Sequence, residues 1–259
     1  MYVHTITAII VSLAAATTTL CIPLSQRIVG GTPVKEGELP YFVQFKGCGG
    51  TLIGLQTIVT AGHCLRSTPD DKAYLGGINF KPLKPVKVVV HPKFARATLV
   101  NDIGLEFLPE KVDGPYALIE GTSYPEEGSK LMVAGYGRTS TDGPRSQILL
   151  KVHVNVGNET DCTEHYNDGR RFFDPVTQVC GTAIPGFSDC SGDSGGPLYI
   201  SSGNNMHVVG LVSGYGHVLA CGEKGAYSYY TFIKPYIPWI KSEVEKFEKD
   251  GAEADSATV

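Results

Sequence analysis

Between residues 28 and 236 the hydrophobic residues come in short runs, several alternating with polar positions, and Gly, Pro and Asp separate the runs. The runs read TLIGLQTIVTA, VKVVV, DIGLEFL, KLMVAG, ILLKVHVNV, PLYI, HVVGLV and AYSYYTFI. They are rich in β-branched and aromatic residues and have the length of strands. No helical periodicity longer than about two turns interrupts them. The pattern therefore predicts an all-β fold, a barrel or a sandwich, rather than an α/β fold.

The end of the chain has a different pattern, which predicts one helix at about residues 238–249. Pro238 stands near the first turn, where a helix tolerates proline, and hydrophobic residues then recur at helical spacing among Lys and Glu. These residues are Trp239, Ile240, Val244 and Phe247. Between the strand runs, the segment Ile119 to Lys130 is rich in Pro, Gly and Glu, which makes it the best candidate for a crossing between two halves.

Composition limits the class of protein. The chain has 259 residues, 42% of them hydrophobic, enough for one large domain or two small ones. The net charge of −4 comes without a basic cluster, so neither nucleic acid nor an anionic membrane surface is expected as a partner. The first twenty residues lack acids and contain the apolar run ITAIIVSLAAATTTL, which predicts a signal peptide over residues 1–16 and secretion. A membrane anchor is the weaker interpretation, because the run is short for a bilayer.

Seven cysteines in an exported chain predict disulfides. A zinc site is the alternative, but no Cys-x-x-Cys or paired Cys/His spacing occurs, and we expect no metal and no cofactor. Cys21 lies in the predicted signal or just after it. The other six can pair in many ways, and arithmetic alone does not choose among them.

The stretch GFSDCSGDSGGP surrounds Ser194 with turn-forming residues, and by itself it is compatible with an ordinary surface loop. A serine nucleophile needs an imidazole base and a carboxylate that orients the base. His63 is the best base, since TIVTAGHC places it at the end of an apolar strand beside a cysteine. Asp102 stands at the entry to the apolar run DIGLEFL, where burial is costly unless hydrogen bonds compensate it. His91, His153 and His207 have the surroundings of structural or surface residues.

The motifs TAGHC, NDIGL, CSGDSGGP and RIVGG, taken together and in this order, resemble the trypsin/chymotrypsin family of serine endopeptidases. The resemblance extends from Ile28 to the terminal helix. It implies two packed six-stranded antiparallel β-barrels with a C-terminal helix, and an active site in the cleft between the barrels. The first barrel is expected at about residues 28–125 and the second at about 126–236.

The resemblance also implies the roles of individual residues. Ser194 is the expected nucleophile, His63 the general base and then acid, and Asp102 the group that fixes the imidazole tautomer. The backbone N–H groups of Gly192 and Ser194 are expected to form the oxyanion hole. Ser213 matches the serine whose hydroxyl supports the buried aspartate.

One disulfide connectivity follows from the resemblance. It pairs Cys48 with Cys64, Cys162 with Cys180, and Cys190 with Cys221. The first bond would hold the turn that carries His63, and the third would brace the substrate pocket. Cys21 is left over; it is lost with the signal, kept in a short propeptide or paired between molecules.

The segment SQRIVGG implies a zymogen with a propeptide over residues 17–27. Cleavage after Arg27, by an activating protease or by the enzyme itself, would free the α-amine of Ile28 to pair with Asp193. The alternative for Asp193 is a turn residue bonded to its own backbone. The expected partners are protein or peptide substrates and protein inhibitors, and the expected state is a monomer.

The substrate pocket departs from the family pattern. A trypsin has an aspartate at the base followed by a serine, whereas here Ser188 precedes Asp189. Because a carboxylate in a narrow pocket is unfavourable without a cation, the sequence favours cleavage after Lys or Arg. The alternative is an aromatic or leucine preference, with Asp189 turned away and hydrogen-bonded.

The opposite wall usually reads Ser-Trp-Gly and here reads SGYG, beginning at Ser213. Either Gly214 replaces the tryptophan, or Tyr215 takes its place after a one-residue insertion. In the second case Gly216 and Gly225 are the small residues that keep the pocket open.

Two features lie outside the pocket. The segment LGGINFKPLKP, which matches an acidic calcium loop of many trypsins, has no carboxylate, and no bound calcium is expected. The sequon NET at Asn158 predicts a glycosylation site in a secreted protein. A catalytically silent homologue that binds a partner, or a structural β-protein, is the rival interpretation. The presence of all three triad positions favours the enzyme.

Overall fold

The computed structural model describes residues 28–45, 47–65, 73–76, 81–166, 173–202, 205–215 and 219–256. The strands are β1 (Thr32–Pro33), β2 (Phe42–Phe45), β3 (Cys48–Leu52), β4 (Thr57–Thr60), β5 (Ala73–Leu75), β6 (Lys81–Leu83), β7 (Lys87–Val90), β8 (Gly104–Phe107), β9 (Lys130–Gly135), β10 (Leu150–Val156), β11 (Gln178–Thr182), β12 (Pro197–Ser202), β13 (Asn205–Tyr215) and β14 (Tyr227–Phe232). The helices are α1 (Glu159–Tyr166) and α2 (Ile237–Ser256). Two short 3-10 turns cover Gly62–Cys64 and Lys234–Tyr236.

The strands form two antiparallel sheets, which confirms the predicted all-β class. In the first, the order is β10-β11-β14-β13-β12-β9, and β9 pairs back with β10 to close a six-strand barrel. Strand β1 pairs with the first two residues of β10. The second is a curled sheet with the order β6-β5-β2-β3-β4-β8-β7. The segment predicted as a crossing lies between β8 and β9, the last strand of the curled sheet and the first of the barrel.

The burial of residues along each strand explains why the hydrophobic pattern of the sequence predicted the strands. Strand β10 alternates buried and more exposed positions along its length, as a strand with one face on the barrel core must. Strands β4 and β8 are buried at every position, because both of their faces are covered. Such fully buried strands do not alternate, but β4 still stands out by its β-branched residues, and the turns that bound both strands mark their ends.

The sequence pattern predicted one of these two helices and not the other. Helix α2 was predicted, and it runs on to Ser256; its Phe247 ring stacks on Phe107 at 4.5 Å between centroids. Helix α1 was not predicted, because it has little apolar periodicity. The side chain of Asn158 caps its first turn by accepting hydrogen bonds from the N–H groups of Thr160 and Asp161. Neither helix, over the residues that the structure describes, is long and apolar enough to cross a bilayer.

Candidate active site

Strand pairing brings His63 and Asp102 together. Strands β4 and β8 are antiparallel, and Thr60 at the end of β4 lies opposite Gly104 at the start of β8. The chain just after β4 and the chain just before β8 therefore emerge at the same end of the sheet. Nδ1 of His63 lies 2.7 Å from Oδ2 of Asp102, and the backbone N–H of His63 donates to Oδ1 at 2.8 Å.

The carboxylate of Asp102 is fully buried, and hydrogen bonds compensate for that burial. Besides the two donors of His63, the hydroxyl of Ser213 donates to Oδ2 at 2.6 Å. The hydroxyl of Thr231, which sequence reasoning did not single out, donates to the backbone carbonyl of Asp102 at 2.9 Å. A carboxylate held in this way orients the imidazole, so that Nδ1 carries the proton and Nε2 is the basic nitrogen.

Ser194 lies in a tight turn that packs against the curled sheet. The N–H of Gly49 in β3 donates to the carbonyl of Ser194 at 2.7 Å, and the N–H of Gly195 donates to the carbonyl of Val212 at 2.7 Å. Gly195 has φ of +75°, and a side chain there would collide with the Thr60 hydroxyl and the Gly49 carbonyl. Only glycine therefore fits directly after the candidate nucleophile.

The two candidate oxyanion donors are available. Gly192 has φ of +103°, a conformation that other residues rarely adopt, and it turns the peptide at this point. Among the described residues, no acceptor takes the N–H of Gly192 or Ser194. Among the residues that the structure describes, no hydrogen bond joins His63 to Ser194. Nε2 of His63 instead lies 3.7 Å from Sγ of Cys64. Catalytic hydrogen bonds are often long in a substrate-free enzyme and tighten when substrate binds.

Asp193 is fully buried next to this turn. Its Oδ1 accepts the N–H of Gly137 at 2.7 Å and its Oδ2 accepts the N–H of Cys190 at 2.9 Å. Burial raises its pKa to about 7, and the nearby carboxylate of Asp189 adds to the rise. Ile28 is also fully buried, while Arg27 and the predicted signal peptide and propeptide lie outside the described residues.

A cavity of about 150 Å³ opens beside Ser194. Its lining residues are Leu99, Asp189, Cys190, Ser191, Ser194, Val212, Ser213, Gly214 and Tyr215. The hydroxyl of Ser188 is turned away to the backbone carbonyl of Asp189, at 2.8 Å. Of the two residues in reversed order, it is therefore Asp189 that lines the cavity.

The carboxyl of Asp189 is held from behind by β14. The phenol of Tyr230 donates to its Oδ1 at 2.7 Å, and Ser228 contributes a second side-chain hydrogen bond. Burial nevertheless raises the pKa of Asp189, although both hydrogen bonds oppose the rise. The sequence predicted neither Tyr230 nor Ser228 as a partner of Asp189, because it is the pairing of β14 with β13 that places both residues beside the cavity.

The wall of the cavity is set by the register of β13 on β14. Gly214 lies opposite Tyr229 and Tyr215 lies opposite Ser228, with an irregularity between Val212 and Gly214. Both Gly214 and Tyr215 line the cavity. Gly225 has φ of +86° and lies outside the lining, and Gly216 falls outside the described residues.

The three disulfides are those that the resemblance implies: Cys48–Cys64, Cys162–Cys180 and Cys190–Cys221. The first ties β3 to the His63 turn, and the second ties α1 to β11. Cys48, His63 and Cys64 lie close enough to hold a metal, but both sulfurs are in the disulfide and are not available as thiolates. Cys21 lies outside the described residues, as do positions 77–80 of the segment compared with a calcium loop.

Asn158, the predicted glycosylation site, is half-buried at the start of α1. Its Oδ1 caps the helix, while its Nδ2, the atom that would carry a glycan, donates to Glu127 at 2.9 Å. A glycan on Nδ2 leaves the capping oxygen in place.

Comparison with known proteins shows the family to which the chain belongs. The family profile described as Trypsin matches residues 28–240. The chain therefore belongs to the trypsin family. It is 29% identical to Serine protease 56 of Mus musculus over 84% of this chain and 39% of that protein, and 29% identical to Serine protease snk of Drosophila melanogaster over 85% and 58%. It thus spans less than two thirds of these two relatives. The Vitellin-degrading protease of Bombyx mori is 32% identical over 84% of this chain and 86% of its own length.

Proposed function

We propose that this protein is a secreted serine endopeptidase that cleaves peptide bonds through an acyl-enzyme on Ser194. The observation that carries the proposal is the 2.7 Å contact between Nδ1 of His63 and the buried carboxylate of Asp102. A buried aspartate with three donors around it is the arrangement that makes an imidazole an effective base.

The reaction follows from these groups. Oγ of Ser194 attacks the scissile carbonyl, and its proton passes to Nε2 of His63, which is then a cation that Asp102 stabilises. The N–H groups of Gly192 and Ser194 bind the negative oxygen of the tetrahedral intermediate, each donor being worth on the order of 3 kcal/mol. His63 returns the proton to the leaving amine as the C–N bond breaks. Water then attacks the acyl-enzyme by the same path and releases the acid.

Activation by cleavage after Arg27 is part of the proposal. Asp193 is fully buried and, in the uncleaved chain, is held by two backbone N–H groups while its pKa is raised. The residues after the cleavage position already pack on the adjoining loop, where the N–H of Ser188 donates to the carbonyl of Val29 at 3.2 Å. A protonated amine on Ile28 would supply a cation in direct contact with the Asp193 carboxylate.

We further propose a preference for Lys or Arg before the scissile bond. Asp189 carries the carboxyl in the cavity beside Ser194, and no basic residue is among the described residues that line it. Burial raises the pKa of Asp189, so a cationic side chain entering the cavity would restore its ionised form. Three disulfides support an extracellular site of action, where protein inhibitors and glycosylation of Asn158 also belong.

The test uses the protein cleaved after Arg27, a fluorophosphonate probe and a peptide library. We expect the probe to label Ser194, the label to be lost in Ser194→Ala and His63→Ala, and cleavage to follow Lys or Arg. An unlabelled Ser194 in the folded, cleaved protein rejects the enzyme. Equal cleavage after Phe and Lys rejects the pocket assignment, and full activity of an uncleaved Arg27→Gln protein rejects the zymogen.

A further inference from the structure

A second cavity, of about 330 Å³, flanks the turn that carries Ser194. Its lining residues are Gln44, Phe45, Gly47, Cys48, Tyr136, Arg145, Ser146, Gln147 and Gly192. Gly192 is the candidate oxyanion donor, and Cys48 is bonded to the cysteine that follows His63. The cavity therefore adjoins the reacting centre.

Its position identifies the part of a substrate that it would contact. In the proposed function, the cavity lined by Asp189 and residues of β13 holds the side chain before the scissile bond, on the acyl side of the substrate. The leaving amine must receive its proton from His63, and the Cys48–Cys64 disulfide holds that residue. The cavity next to Cys48 is thus placed for the residues that follow the scissile bond.

Arg145 gives this cavity its charge. A methyl group added to Gly47 would lie 2.8 Å from Nη1 of Arg145, and one added to Gly192 would lie 3.0 Å from its Nε. The guanidinium therefore extends over the backbone at both glycines. Within the described residues, Arg145 is the only lining residue whose side chain is charged at neutral pH.

The guanidinium has its donors available. Within the described ranges, no carboxylate lies at salt-bridge distance from Arg145 and no acceptor takes its side-chain N–H groups. The buried carboxylate of Asp193 feels its charge, but the oxygens of Asp193 are directed to the N–H groups of Gly137 and Cys190. An unpaired, planar guanidinium in a polar cavity matches a carboxylate.

We propose that Arg145 is a specificity-determining residue for the leaving-group side of the substrate, selecting Asp or Glu within the two residues after the scissile bond. The inference rests on the proposed peptidase function and deepens it. The ion pair would be partly exposed to solvent, so its effect is modest and weakens as salt increases.

The test compares internally quenched peptides that differ only in having Glu, Gln or Lys at the first or second position after the scissile bond. For the cleaved protein we expect kcat/KM for Glu to exceed that for Gln by roughly two- to fivefold, and Gln to exceed Lys by a similar factor. Arg145→Ala should remove the preference and Arg145→Glu should invert it. Added salt should reduce it in the parent protein.

Two controls separate the possible outcomes. Arg138→Gln is the matched variant, because the Arg138 side chain bonds the Gly143 carbonyl at 2.6 Å and does not line the cavity; it should keep the preference. A chromogenic anilide with no residue after the scissile bond should be cleaved equally by the parent and Arg145→Ala.

A charge preference that survives Arg145→Ala, or no preference in the parent, overturns the proposal. So does an equal loss on the anilide, which would assign Arg145 to the support of Asp193. Failure of fluorophosphonate labelling instead identifies failure of the peptidase function.

Discussion

The phenol of Tyr230 donates a 2.7 Å hydrogen bond to Oδ1 of Asp189, behind the cavity that adjoins Ser194. Both residues are buried, and the bond favours the ionised form of the carboxyl against the effect of burial. The charge available to a substrate in this cavity therefore depends on a residue from a neighbouring strand.

Tyr230→Phe should lower the preference for basic over aromatic substrates. Removing the hydroxyl takes a donor from a buried carboxyl, and the pKa of Asp189 should rise further. We expect kcat/KM for a lysine substrate to fall by roughly tenfold at pH 7, with less change for a phenylalanine substrate. Tyr229→Phe is the control, since the Tyr229 hydroxyl lies 3.4 Å from the Cys162 carbonyl, away from the cavity. Equal effects of the two variants would contradict the prediction.

The preference for basic substrates should also depend on pH. Because burial raises the pKa of Asp189, its carboxyl takes up a proton at a higher pH than an exposed aspartate and then no longer attracts a cation. KM for a lysine substrate should therefore rise as the pH falls, while KM for a phenylalanine substrate stays level. Steady-state kinetics from pH 5 to pH 8 would measure this. In Asp189→Asn the two profiles should become parallel; a persisting divergence there would exclude Asp189 as the titrating group.

Ser213→Ala should weaken the chemical step. The variant removes the 2.6 Å donor to Oδ2 of Asp102, and a hydrogen bond to a charged group is worth about 1.5 to 3 kcal/mol. We expect kcat to fall by roughly tenfold or more with KM nearly unchanged, because the bond supports the charged imidazole rather than the bound substrate. Asp102→Asn sets the scale for a wrongly oriented base, with an expected loss of about 10⁴. A rise in KM at constant kcat would assign Ser213 to substrate binding instead.

The sequence provided candidate residues for this site because the motifs that carry them are local. The small residues adjoin Ser194 in the sequence, and the cysteine directly follows His63. The strands next to these motifs have a recognisable hydrophobic pattern. The hydrogen-bond partners of these groups could not be predicted from the sequence, because only strand pairing brings Thr231 to Asp102 and Tyr230 to Asp189. Helix α1 was missed for a similar reason, because a side-chain cap and a disulfide hold it rather than an apolar face.

Cleavage after Arg27 should change how stability depends on pH. In the uncleaved chain the pKa of Asp193 is about 7, against 3.8 for an ordinary aspartate. Below pH 3.8 both the folded and the unfolded states hold the proton. As the pH rises from 3.8 to about 7, the unfolded state releases this proton while the folded state keeps it. The free energy of unfolding therefore falls by up to about 4 kcal/mol. In the cleaved protein the Ile28 ammonium would stabilise the carboxylate, lower its pKa and remove this loss.

Denaturant unfolding of the cleaved and uncleaved forms would measure the difference. Both forms should carry Ser194→Ala to prevent self-digestion, with cleavage by an added protease. The cleaved form should gain in unfolding free energy over the uncleaved form between pH 5 and pH 7. The gain should decline at alkaline pH, as the amine, whose ordinary pKa is about 7.7 to 8.0, loses its proton. Asp193→Asn should make the two pH profiles parallel, because the titrating carboxyl is gone. Parallel profiles with Asp193 intact would mean that the amine of Ile28 does not pair with this carboxylate.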